Sequence, residues 1–372
     1  MKKTLAAVAV LGAFAASAYA DVTVYGNLDG ALVYKHAASG ADTVQMKSSG
    51  QETTLVGFKG SEKISENLTV GFKLEAAYNL DTGDGAANDL FKREALVYAK
   101  TAYGEFGFGR TGSLGASTGS YAFLGSGNTG WGGGVMDVLD NGFIFKGKAS
   151  RQDNAVTYVS PKMGGVTLYA QVASAENEGD EFTHEADRYY ALGAKYAAGA
   201  FNAGLVVTQQ EYNNGLVEKV AGTQDEATVV SGFVNYDFGV AKVALAAEYY
   251  DGIKAAKAST VYVKNTIGNF TNEVDEEKST KATAGIEGYG LTAAVVAPVC
   301  GGTAYLGLGY GESENVVGGG DKEYIAAGAR FVYPLSKTTG LYTGVGYTTE
   351  NDKVADTSKE ALTAHFGLYT KF

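Results

Sequence analysis

The sequence predicts an all-β fold: a single antiparallel barrel of sixteen strands that crosses a membrane. Three observations point there. Apolar and polar residues alternate with period two, not the helical period of about 3.6. The connections between the apolar runs are short and long in turn. And the 372 residues include 52 Gly and 25 Tyr but only 3 Pro. Gly relieves crowding on bent strands, Tyr suits membrane interfaces, and Pro would break a ladder.

The chain opens with an export signal. Lys2 and Lys3 precede an apolar run from Leu5 to Ala16, and Ala18-Tyr19-Ala20 offers a small-x-small cleavage pattern. The run is too short to span a bilayer. The organisation expected is therefore a signal peptide over residues 1–20 and one barrel domain over residues 21–372, with no linker inside it.

The first strand, 22–34, sets Val22, Val24, Leu28 and Leu32 against Thr23, Tyr25, Asn27 and Asp29. Further strands are expected at 52–62, 68–79, 91–101, 105–110, 152–160, 165–174, 187–197, 200–211, 227–237, 241–250, 281–297, 302–310, 323–333, 339–349 and 361–372. In the third, Leu68, Val70, Phe72 and Leu74 face away from Thr69, Lys73 and Glu75. In the last, Ala364, Phe366, Leu368 and Phe372 oppose His365, Tyr369 and Lys371. Alternation alone also fits a soluble sandwich. Short turns at one end and long loops at the other are what mark an outer-membrane barrel. Pro161, Pro298 and Pro334 all fall at expected short turns. The stretch Gly290–Tyr310 carries no charge and is long enough for a membrane helix, but Pro298 and Gly301-Gly302 divide it into two strands and a turn.

Thirty basic residues stand against 41 acidic; without Lys2 and Lys3 the count is 28 against 41, a net of −13. Nucleic-acid binding asks for the opposite balance. One cysteine, Cys300, provides no internal disulfide framework, and His36, His184 and His365 lack metal-ligand spacing, so no cofactor or metal is expected. No serine–histidine or paired-carboxylate motif suggests catalysis.

The chain also resembles the general porins of Gram-negative outer membranes, most closely their β-proteobacterial branch. The resemblance is carried by Asp21-Val-Thr-Val-Tyr-Gly26, Gly57-Phe-Lys-Gly-Ser-Glu62, Arg93-Glu-Ala-Leu-Val97 and Tyr103-Gly-Glu-Phe-Gly-Phe-Gly-Arg110. Downstream it rests on the run from Arg151 through Asp153-Asn-Ala-Val156 to Pro161, on Tyr333 to Tyr342, and on the terminal Phe372. It implies a homotrimer in outer-membrane lipid and a third loop folded into the lumen. It also implies basic wall residues facing loop acids across a constriction. The residues it marks are Arg110, Arg93 and Arg151 on the wall, with Asp137 and Asp140 on the loop near Trp131; Lys59, Lys73 and Glu75 join them as candidates from the polar-facing phase of their strands. Two family positions differ: Asn27 and Leu55 stand where basic residues are usual.

The function expected is a water-filled channel for passive diffusion of ions and small hydrophilic solutes, since sixteen closed strands enclose more space than side chains fill. A substrate-selective channel for sugars or dicarboxylates, or a barrel adhesin, is the alternative. The net negative charge suggests a weak preference for cations.

Overall fold

The computed structural model describes residues 22–38, 40, 42–85, 90–122, 124–125, 143–147, 151–174, 187–212, 225–254, 285–316 and 320–372. The expected export signal and the loop residues Trp131, Asp137, Asp140 and His184 lie outside the described residues.

The described strands form one antiparallel sheet. They are β1 (Thr23–Ala37), β2 (Thr43–Ser48), β3 (Leu55–Ser65), β4 (Leu68–Ala77), β5 (Glu94–Thr101), β6 (Gly104–Gly112), β7 (Arg151–Val159), β8 (Val166–Ser174) and β9 (Arg188–Ala198). There follow β10 (Phe201–Glu211), β11 (Glu226–Asp237), β12 (Lys242–Lys254), β13 (Gly285–Val299), β14 (Gly302–Asn315), β15 (Lys322–Pro334), β16 (Thr339–Asp352) and β17 (Thr357–Lys371). Each strand from β3 onward pairs with the next. β1 closes the ring against β17, from Asn27↔Lys371 to Ala37↔Ala361. The result is a closed barrel of sixteen staves, because β2 and β3 share one position. β2 runs beside Gly30–Lys35 and β3 beside Thr23–Asn27, on the same edge of β1.

That shared stave corrects the single strand expected at 52–62. Ser49, at φ 66°, leaves the extended region, and the ladder is interrupted until Leu55. Two prolines also sit differently from expectation. Pro298 lies inside β13 opposite Thr303, and Pro334 ends β15 opposite Gly340. The β13–β14 turn has shrunk to Cys300 and Gly301, with φ of 48° and 78°, the signs of the type I′ hairpin that suits twisted strands. Pro298 is tolerated because it stands one residue from its strand's end. The last long connection is shorter than expected too: pairing continues to Asp352↔Thr357. Asp352 Oδ1 accepts the backbone N–H groups of Val354 (3.1 Å) and Ala355 (2.8 Å), which folds a tight turn. Gly290–Tyr310 is two strands, and no helix among the described residues is long and apolar enough to cross a membrane.

The two faces are inverted relative to a water-soluble protein. Leu192, Leu205, Leu308 and Phe366 are more than half exposed on the outer face, while Asp29, Gln171, Glu248 and Arg330 are buried on the inner one. Lipid solvates the first set, and the lumen with its inward-folded segments takes the second. Aromatic pairs gather near the short turns: Phe106–Tyr158, Tyr196–Phe201, Tyr236–Phe238 and Phe331–Tyr333. This is the girdle expected at a membrane interface. Tyr25 and Tyr342, which by type would join it, instead point inward and bond carboxylates.

Candidate functional site

The third loop follows β6, and both its described arms lie inside the barrel. On the outgoing arm, Leu114 N donates to Gln171 Oε1 (2.9 Å), Gly115 N to the Tyr189 hydroxyl (3.3 Å), and Tyr121 Oη to Glu105 Oε1 (2.8 Å). On the returning arm, Gly147 N donates to Glu248 Oε1 (2.7 Å), and Phe143 meets Tyr324 edge-on. The acceptors belong to β6, β8 and β9 for the first arm and to β12 for the second. The described arms therefore occupy part of the lumen, one against β6, β8 and β9 and the other against β12.

Close approach of backbone seats the returning arm. Ile144 is fully buried over Gly290 and Gly309. A Cβ at Gly290 would stand 2.6 Å from Ile144 O, and one at Gly309 would stand 2.7 Å from its Cγ1. Neither neighbour yields without moving the arm. Gly290→Val should displace it and change single-channel conductance, while the apolar outer face keeps the barrel inserted. An unaltered conductance would show that the arm does not control the narrow section.

Beneath the outgoing arm lies a charged wall. Tyr25, Lys59, Lys73, Glu75 and Glu94 share the inner phase of β1, β3, β4 and β5, in register through Tyr25↔Gly57, Gly57↔Glu75 and Glu75↔Glu94. Lys73 Nζ sits 2.9 Å from Glu75 Oε1 and 2.7 Å from Glu94 Oε2. Arg93 Nε approaches Glu75 Oε2 at 3.3 Å, and the Tyr25 hydroxyl donates to Glu75 Oε1 at 2.8 Å. Lys59 lies over the Tyr25 ring, 4.9 Å from its centre. Arg151 donates to the Arg93 carbonyl (2.5 Å) and to Thr118 Oγ1 of the loop (3.4 Å).

Glu94 ties wall to loop. It is completely buried. Its carboxylate accepts Ser120 N (2.5 Å), Ser120 Oγ (2.7 Å) and Thr111 Oγ1 (2.9 Å) besides the lysine. A buried charge is tolerated when paired and fully hydrogen-bonded, as here. Sequence reasoning passed over Glu94 although it lies within the Arg93–Val97 motif. The usable signal was its phase, shared with inward Leu96.

Of the residues marked from sequence, Lys59, Lys73, Glu75, Arg93 and Arg151 gather at this wall. Arg110 neighbours Arg151 but bonds elsewhere. Along β6 it follows the exposed apolar Phe106 and Phe108, at a register shift between Gly109 and Thr111. Its guanidinium donates to the Lys92 carbonyl (2.7 Å) and pairs with Asp153. Asn27 and Leu55 face one another across β1 and β3, and Leu55 is buried. His36 bonds Asp42 near the outer end of β1, and His365 packs edge-on against Tyr342. No group of residues suited to holding a metal ion occurs among the described residues.

The closed barrel agrees with the comparisons. Residues 6–353 match the family described as Gram-negative porin. Outer membrane porin protein 32 of Delftia acidovorans is 31% identical over 65% of this chain and 68% of its own length. An outer membrane porin protein of Bordetella pertussis is 26% identical over 92% of this chain and 93% of its own. Among solved structures, the anion-selective porin from Comamonas acidovorans superposes with a TM-score of 0.69 at 21% identity, covering 95% of this chain and 100% of that one. The chain belongs to the Gram-negative porin family: it is an outer-membrane β-barrel channel for passive diffusion of small solutes.

Proposed function

We propose that the channel favours anions weakly, and that Lys59, Lys73, Arg93 and Arg151 set this preference at the constriction together with Glu75. One observation carries the proposal: four cations share this wall with two carboxylates, Lys73 and Arg93 paired to Glu75 and Glu94, Lys59 on the Tyr25 ring and Arg151 on the Arg93 carbonyl. The net charge of the whole chain argues the other way. Much of that charge lies in the long connections between strands, however, and screening confines its reach to roughly 8 Å at physiological salt. Ions in the narrow section respond to the wall beside them.

The zero-current potential across a salt gradient tests this. The expected sign is that of anion preference, and Arg93→Gln should move it toward cations. A wild-type channel that prefers cations would overturn the proposal. Arg110, paired with Asp153 at the edge of β6, is expected to change the potential less than Arg93.

The remaining parts of the reading follow the family. Residues 1–20 direct export and are removed, the barrel assembles as a homotrimer, and the protein catalyses no reaction. Native mass measurement in mild detergent should give three chains per particle; a monomer under every condition would refute the trimer. A substrate-selective channel would instead show saturable block of conductance by one solute.

A further inference from the structure

Between β2 and β3 the chain leaves the ladder for six residues, Ser49–Thr54, bonds to inward-facing side chains of β1, β15 and β17, and packs against Tyr342 of β16. Asp29 of β1, itself fully buried, is its main anchor. The Asp29 carboxylate accepts Gln51 N (2.7 Å) and Glu52 N (2.6 Å), and it takes a further hydrogen bond from the Tyr342 hydroxyl of β16. From β15, Arg330 donates to Gln51 Oε1 (2.7 Å) and to the Gly50 carbonyl (3.0 Å). From β17, Lys371 pairs with Glu52 at 2.7 Å. A side chain at Gly50 would collide with the Tyr342 ring.

Every one of these partners faces the lumen. Asp29 shares the phase of Tyr25; Arg330 and Tyr342 lie opposite the inward Gly344 and Gly367, in register with His365. The segment is therefore inside the barrel. It occupies the wall from β15 round to β1, whereas the third loop's described contacts run from β5 round to β15. The charged wall stands between the two.

We infer that Ser49–Thr54 is a second pore-lining element, which narrows the channel beside the seam where the first and last strands meet and places Glu52 at the passage. The inference rests on the reading of the chain as an open channel. Three charged side chains, Asp29, Arg330 and Lys371, hold the segment through polar bonds to backbone and side chain, so its position is specified rather than loose. Glu52 keeps part of its surface exposed, with a side-chain exposure of 29%. A pore wall needs such a group: fixed in place, charged, and reachable by a passing ion.

The test uses Glu52→Cys in a Cys300→Ser background, reconstituted in planar bilayers. Conducting protein shows that the barrel has folded and that the channel reading holds. A methanethiosulfonate bearing trimethylammonium is then added, and in a separate run one bearing sulfonate. The cationic reagent should lower conductance by about 1.5-fold or more and shift the zero-current potential toward anions. The anionic reagent should shift the potential toward cations, and dithiothreitol should reverse both. Val354→Cys, in the turn between β16 and β17, should respond to neither. Wild-type protein that conducts no ions would overturn the channel reading itself. Conducting Glu52→Cys whose current and potential ignore both reagents would overturn this inference alone, whether mass spectrometry finds the thiol labelled or unlabelled. A role confined to holding the seam would not depend on the sign of the reagent.

Discussion

Glu94→Ala is expected to release the outgoing arm of the third loop and widen the pore. The substitution removes the acceptor for Ser120 N, Ser120 Oγ and Thr111 Oγ1, and it breaks the ion pair with Lys73. Removing one member of a buried charge pair costs about 3–5 kcal/mol. Lumen water can hydrate part of what is left, which puts the loss toward the lower end. The barrel strands keep their ladders, so the loss falls on the loop. Single-channel conductance should rise, open-channel noise should increase, and proteoliposomes should admit larger neutral sugars. Neutral sugars separate the size effect from the charge effect, because the substitution also makes the wall more positive. Glu94→Gln preserves shape and acceptor oxygen and should fall between the two. Sugar exclusion unchanged by Glu94→Ala would show that this tether does not position the loop.

Deletion of Phe372 should abolish insertion. The terminal residue closes the seam: Gly26 N donates to Phe372 O and Phe372 N to Gly26 O, both at 3.0 Å. Its ring covers Gly26, where a side chain would have no room. Unpaired backbone at an open edge is costly in a bilayer, and a barrel avoids it only by closing. Without the last pair, β1 and β17 begin their register at Asn27↔Lys371, beside the charged Lys371–Glu52 contact. Cell fractionation should find the truncated chain in the periplasm, and Phe372→Tyr should restore the membrane fraction. Normal insertion of the truncated chain would count against the role of the terminal strand.

Much of the barrel was legible in the sequence, and its misreadings have local causes. Strand boundaries at β4, β8, β9, β10, β11 and β15 lie within about two residues of those the alternation indicates. Alternation is readable because the strand period is set by backbone geometry, whatever the strand's neighbours. The expectation that every proline marks a turn failed at Pro298, because a turn of Cys300 and Gly301 needs only two residues. The third loop's inward path was implied by family resemblance. Its seat on Gly290 and Gly309 was not, since a glycine in a strand reads the same whether it bends the wall or receives a neighbour.

The sequence by itself determined the strands, their inner and outer faces, and the porin class, because these depend on neighbours two residues apart and on motifs in a fixed order. Only the tertiary structure decided which charges meet. Asp29 bonds Tyr342 across 313 positions, Arg330 bonds Gln51 across 279, and Lys73 bonds Ser120 across 47. Glu94 illustrates the same limit: a loop returning into the lumen makes it an anchor. Such contacts exist only once the ring closes and brings β1 beside β17, and nothing in the local period of a strand encodes that closure.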